Sequence, residues 1–216
     1  MVQILIFGDS ITYGAWDIEG GWVQRLRKYL DKKVINSNYE EYYITYNLGI
    51  SGDISGDIIK RFKKETEDRL NDKEHNESVI FIFAIGTNDC LFINKTKKLN
   101  CSKEKYQKNL IKLISLAKNY SNKIVFLGLT PVDESKLNPL PWASEYSANN
   151  KYVKEFNETI KYVTNKYKIN FIPIYDILIK EDYKILLADG DHPNSKGHEI
   201  IFNIIMDDII KNKLLD

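Results

Sequence analysis

Cysteine is nearly absent from this sequence, with Cys90 and Cys101 its only two. A chain of 216 residues can bury a continuous core without cross-links, so no disulfide framework is needed and both thiols are expected to be free. Long hydrophobic runs are missing too. The longest, Val79 to Ile85, falls far short of the ~20 residues that span a bilayer. Met1 leads into a strand-like segment with neither a basic region nor a cleavage site, from which a cytoplasmic location is expected. Neither sign of charge prevails: 31 basic and 30 acidic side chains leave a net +1, and Lys and Glu are interspersed as on solvated helix faces. That balance argues against a nucleic-acid partner. Internal repeats and linkers rich in Gly, Ser or Pro are lacking, so residues 1–216 read as one domain.

What is present is an alternation. Apolar runs rich in β-branched and aromatic residues occur at Val2–Phe7, Tyr42–Asn47, Val79–Ala84, Lys123–Leu129 and Ile169–Ile172. Between them lie segments of helical period at Gly21–Lys33, Ile54–Leu70, Lys103–Tyr120 and Ser147–Lys168, with a final helix after Asn194. Successive βα units of this kind predict an α/β fold whose five parallel strands are covered on both faces. In the last helix Ile201, Ile204, Ile205 and Ile209 share one face, which should pack on the sheet. Pro131 to Asn149 is a long non-periodic segment, either a surface insertion or a substrate-covering loop.

Ligands of open α/β sheets bind at the carboxyl ends of the strands. Four polar, Gly-containing segments fall there: Gly8-Asp9-Ser10, Asn47 to Gly52, Gly86-Thr87-Asn88-Asp89 and Asp189-Gly190-Asp191-His192-Pro193. A serine hydroxyl becomes a nucleophile only beside a base held in the right tautomer. Of the three histidines, His75 lies in the polar Asn71–Ser78 linker, where solvation is expected, and His198 in the first turn of the last helix, where an exposed or capping role is expected. His192 has Asp189 three residues before it, a spacing that can bring a carboxylate to Nδ1 within one turn. Ser10 stands at a strand-to-helix turn, suited to an exposed nucleophile or to a helix cap. Gly52 can present a backbone N–H and Asn88 an amide to a developing oxyanion, or each can be a turn residue.

Together these segments resemble the four blocks of the SGNH/GDSL-type serine esterase/lipase (acylhydrolase) family, in order and over almost the whole chain. The first block reads Gly-Asp-Ser-Ile where a leucine can stand in the family. The resemblance implies a three-layer α/β/α flavodoxin-like sandwich. It also implies a Ser10, His192 and Asp189 triad, an oxyanion hole from Ser10, Gly52 and Asn88, no cofactor or metal, and a small-molecule ester substrate. Family members cleave many esters, among them thioesters, lysophospholipids and acetylated sugars. Tyr13, Trp16, Trp142 and Tyr146 are candidates to line an apolar pocket or sugar platform, or are packing residues.

Three other readings compete with the esterase. A metal-dependent phosphoesterase would use Asp9, Asp189, Asp191 and His192. A flavodoxin-like binding module would hold phosphate at the Ser10 turn, though no G-x-x-x-x-G-K-[ST] or G-x-G-x-x-G pattern supports it. Cys90 as nucleophile is a remote alternative. Nothing in the composition reports oligomeric state.

Overall fold

The computed structural model describes residues 1–70 and 78–215, so the linker expectation for His75 lies outside the described residues. The strands are β1 (Val2–Gly8), β2 (Tyr43–Gly49), β3 (Ser78–Ala84), β4 (Phe92–Ile93), β5 (Lys98–Leu99), β6 (Lys123–Leu127), β7 (Tyr146–Ser147) and β8 (Asn170–Ile172). The helices are α1 (Ser10–Tyr13), α2 (Gly21–Asn36), α3 (Ser55–Leu70), α4 (Lys103–Ala117), α5 (Asn150–Tyr167), α6 (Ile174–Leu178) and α7 (Ser195–Lys211). Five strands form a wholly parallel sheet in the order β2-β1-β3-β6-β8, the flavodoxin-like arrangement.

Strict alternation along the central strands divides the core. Leu5, Phe7, Phe81 and Phe83 point to one face, where they meet Phe62 of α3, Tyr106 of α4 and Phe156 of α5. Ile4, Ile6, Ile80 and Ile82 point to the other, against Trp22 and Leu26 of α2 and Ile201 and Ile205 of α7. The buried phenylalanines thus gather in the first layer, while the second is aliphatic apart from Trp22. At about 1.5–3 kcal/mol for each fully buried large apolar side chain, this two-sided burial outweighs local helix propensity in holding the three layers together. In α7, Ile201, Ile205 and Ile209 are buried and Ile204 is half-buried, as the spacing predicts.

Register sets the rim. Gly8 pairs with Gly49 on one side and with Ala84 on the other, so the chain leaves β1, β2 and β3 at one level. There α1 turns back at once over the strand ends. A Cβ at Gly8 would lie 2.0 Å from the Thr12 hydroxyl and 2.5 Å from the Ala84 carbonyl, an approach only glycine permits.

The structure departs from the sequence expectations in several places. Helix α4 ends at Ala117 rather than Tyr120, and α5 begins at Asn150 because Asn149 caps it, its side chain accepting from the N–H of Lys151. Tyr146 and Ser147 pair instead with β4, completing an antiparallel sheet of order β5-β4-β7. Two-residue strands carry no usable periodicity, which is why that sheet is absent from the sequence reading.

Candidate active site

Asp9 caps α1, its carboxylate accepting from the N–H of Ile11 at 3.0 Å. The capping role therefore belongs to Asp9, which leaves the Ser10 hydroxyl free for other partners. Ser10 opens the helix, where a backbone N–H has no intrahelical acceptor. Its Oγ lies 2.9 Å from Nε2 of His192.

His192 comes from the far end of the chain, where the 189–193 turn is closed by an N–H bond from Ala188 to the carbonyl of His192. Nδ1 of its ring lies 2.7 Å from Oδ2 of Asp189. The other carboxylate oxygen of Asp189 accepts the N–H groups of Asp191 at 3.0 Å and His192 at 2.9 Å. One aspartate thus folds the turn and orients the imidazole. Asp191 is buried and does not bond the ring, and its Oδ1 has no hydrogen-bond partner among the described residues.

Ser10, Gly52, Asn88 and His192 line one cleft of about 400 Å³, with Trp16, Leu91, Leu140, Trp142 and Tyr146 among its walls. Gly52 has a φ of +85°, and a Cβ built on it would meet nothing within 4 Å, so conformation rather than space selects glycine. Asn88 donates through Nδ2 to the carbonyl of Asp53 at 3.1 Å, leaving a second N–H on the same nitrogen. A buried Asp89 joins the same loops from below by accepting from the N–H of Ser55 at 2.8 Å. A hydroxyl on an imidazole, an imidazole on a carboxylate, and donors beside them form an arrangement able to draw a proton from serine and hold a developing oxyanion. Among the described residues no three His, Cys, Asp or Glu side chains are grouped to hold a metal ion.

The profile of the GDSL-like Lipase/Acylhydrolase family matches residues 6–200. The chain belongs to that family. A multidomain esterase of Ruminococcus flavefaciens is 30% identical over 224 residues, covering 92% of this chain but only 27% of the esterase. The chain thus spans about a quarter of that relative's length. Among solved structures, a lipase/acylhydrolase of Enterococcus faecalis superposes with a TM-score of 0.73 at 23% identity, over 97% of this chain and 95% of the other. An acetylxylan esterase of Geobacillus stearothermophilus, solved as a catalytic mutant, gives 0.71 at 18% identity, over 96% and 93%. At these identities the structural likenesses establish the fold.

Within this cleft the charges are strongly perturbed. Burial alone would raise Asp189, yet its hydrogen bonds to the imidazole and to the N–H groups of His192 and Asp191 outweigh it and bring the carboxyl down to about 2. Burial disfavours a charged His192, but Asp189, with Asp191 and Asp9 nearby, lifts it above the ordinary imidazole value. Asp9 is pushed up to about 7, chiefly by burial, and Asp191 is raised for the same reason.

Two aromatic candidates pack beside the imidazole: the rings of Trp16 and Trp142 lie 5.9 and 5.7 Å from that of His192. Trp16 also donates its Nε1–H to Oδ2 of Asp189 at 3.1 Å, a contact with no sequence signal because 173 residues separate the pair. The 131–149 segment brings Leu140, Trp142, Ala143 and Tyr146 to the cleft, forming one wall of it. Tyr13 departs from expectation, since it lines a separate groove with Gly14, Asp17 and Asn47. Cys90 is buried and donates its thiol to the carbonyl of Thr87, with burial pushing it well above the usual thiol range.

His198 also departs from expectation, being neither exposed nor a cap. Asn194 caps α7, Arg25 of α2 reaches Oγ of Ser195 at 2.8 Å, and α7 packs against α2 with His198 buried. Burial lowers that imidazole to about 4, so it is neutral at physiological pH.

Proposed function

We propose that residues 1–216 form one domain that hydrolyses carboxylic esters, with Ser10 as nucleophile, His192 as general base and Asp189 as its orienter. The observation that carries this reading is the unbroken series from Ser10 Oγ to His192 Nε2 at 2.9 Å and from His192 Nδ1 to Asp189 Oδ2 at 2.7 Å. In the forward step His192 takes the hydroxyl proton as Oγ adds to the ester carbonyl. The tetrahedral oxyanion is received by the N–H groups of Ser10 and Gly52 and the amide of Asn88. The imidazolium then hands its proton to the departing alcohol, and water repeats the sequence on the acyl-serine.

Trp16 and Trp142 flank the proton donor to the leaving group, so they would line the alcohol half of the substrate. Flat apolar faces there suit a saccharide, the kind of alcohol for which the acetylxylan esterase relatives are named. The family match and the esterase relative support ester hydrolysis as the reaction class. The test is labelling by a fluorophosphonate, which should modify Ser10 stoichiometrically, together with hydrolysis of short-chain aryl esters in the presence of a chelator. Activity abolished by the chelator would overturn the reading in favour of a metal-dependent one.

Asn88→Ala should fold normally and lower kcat by about 10²–10³ with little change in KM, the range for loss of one oxyanion donor. Steady-state kinetics on a short-chain aryl ester would check this, and an unchanged kcat would return Asn88 to the role of a turn residue. The pH profile supplies an independent check. His192 must be neutral to accept a proton, and its value is raised, so kcat/KM should fall on the acid side around a midpoint above the free-imidazole value of 6.5. A midpoint at or below that value would argue against His192 paired with a carboxylate as the base.

A further inference from the structure

Arg61 sits in the charged middle of α3, yet its guanidinium is turned inward and its side chain is only 15% exposed. Nε donates to Oδ2 of Asp53 at 2.8 Å. Nη2 donates to two backbone carbonyls, Leu48 at 2.7 Å and Gly8 at 3.2 Å, and the guanidinium carbon lies 5.4 Å from the centre of the Phe7 ring. Each of these partners belongs to a segment that carries one of the proposed oxyanion donors. Gly8 is two residues before Ser10, and its carbonyl also accepts from the N–H of Ile50 at 3.1 Å. Leu48 and Asp53 bracket the turn that presents Gly52. The backbone carbonyl of Asp53 takes one N–H of the Asn88 amide at 3.1 Å, which directs the other.

We propose that Arg61 is a positioning residue that holds the Ser10, Gly52 and Asn88 donors in register with one another through its bonds to Gly8, Leu48 and Asp53. This rests on the serine-esterase reading of the same cleft. The physical need is clear: the three donors leave three different strands, and a shift of about 1 Å in a reacting group can cost 10²-fold in rate. Parallel strands fix the level at which the segments depart, with the bond from Ile50 N–H to the Gly8 carbonyl at the rim, and Arg61 adds a side-chain link from Gly8 to Leu48 and Asp53. A guanidinium fork meets three acceptors at once, whereas an ammonium on a flexible stem acts as a single point charge. Lysine should therefore restore only part of the function.

The experiment measures kcat, KM and thermal midpoint for Arg61→Lys, Arg61→Met and Asp53→Asn beside Ser10→Ala, Asn88→Ala and the Arg61→Met/Asn88→Ala double variant, all on a short-chain aryl ester. Arg61→Met is expected to lower kcat by roughly 10–10²-fold with KM within about three-fold, and Arg61→Lys and Asp53→Asn to fall between it and the parent. Because Arg61 acts through the donors, the loss in the double variant should fall short of the product of the single losses, which a merely stabilising residue would not produce. If Arg61→Met does not fold, the conservative Arg61→Lys and Asp53→Asn decide the matter by the same kcat criterion. Parent-like kcat in folded Arg61 variants, with Ser10→Ala and Asn88→Ala impaired, would overturn the role of Arg61 alone. Full multiplication of the two losses would do the same. Activity that survives Ser10→Ala would overturn the underlying serine reading.

Discussion

Ser10→Ala is expected to abolish both fluorophosphonate labelling and ester hydrolysis, lowering kcat by roughly 10⁶, the scale of loss when a triad serine is removed. The fold should survive, because the structural bond at this turn belongs to Asp9, whose carboxylate caps α1, while the Ser10 hydroxyl bonds His192. Alanine also keeps the backbone N–H that heads the helix. Loss of activity with unchanged circular dichroism and thermal midpoint would therefore report chemistry rather than unfolding. A preparation free of contaminating esterase in which Ser10→Ala retained a large part of the activity would remove Ser10 as nucleophile and bring the buried acidic groups of the rim back into question.

The second large effect separates two neighbouring carboxylates. Asp189 accepts four donors: the N–H groups of Asp191 and His192 on one oxygen, Nδ1 of His192 and Nε1 of Trp16 on the other. Asparagine has one acceptor oxygen and places N–H donors where the second should be, so it satisfies either the turn or the imidazole. Asp189→Asn should lower kcat by about 10³–10⁴, since an amide neither stabilises the imidazolium nor enforces the productive tautomer. With the acceptor gone, the acid limb of the pH profile should also move down. Asp191 makes no hydrogen bond to the imidazole and is buried with its carboxyl raised, so Asp191→Asn should cost far less. Both variants, measured under identical conditions with circular dichroism to confirm folding, decide the assignment. A greater loss at Asp191 would exchange the roles, and small losses at both would leave His192 without an orienting carboxylate from this turn.

Much of this was legible before any coordinates because it is encoded locally. Val2–Phe7 and Val79–Ala84 read as buried strands from their continuous apolar character, and each is found within a residue or two of its expected bounds. The pairing of Asp189 with His192 is also local, a matter of three residues in one turn. Long-range features escaped for the complementary reason. Arg61 lies within a run of lysines and acids that reads as a solvated face, and nothing in that run distinguishes the one cation whose side chain turns to the strand ends. His198 looks like a residue of an exposed first turn, and only the packing of α7 against α2 buries it. Trp16 and Tyr13 are three residues apart on one connection, yet one joins the cleft and the other a separate groove.

By itself, the sequence determined the parallel α/β architecture, the order of the four rim segments and the residues with the chemistry to form a site, because periodicity and side-chain identity are properties of short stretches. Only the tertiary structure decided that Ser10 and His192 meet across 182 positions, that Trp16 shares the carboxylate of Asp189, and that one arginine ties the end of β1 to the turn after β2. Those contacts depend on strand order and register, which set how far apart the ends of β1, β2 and β3 lie, and no local pattern carries that distance.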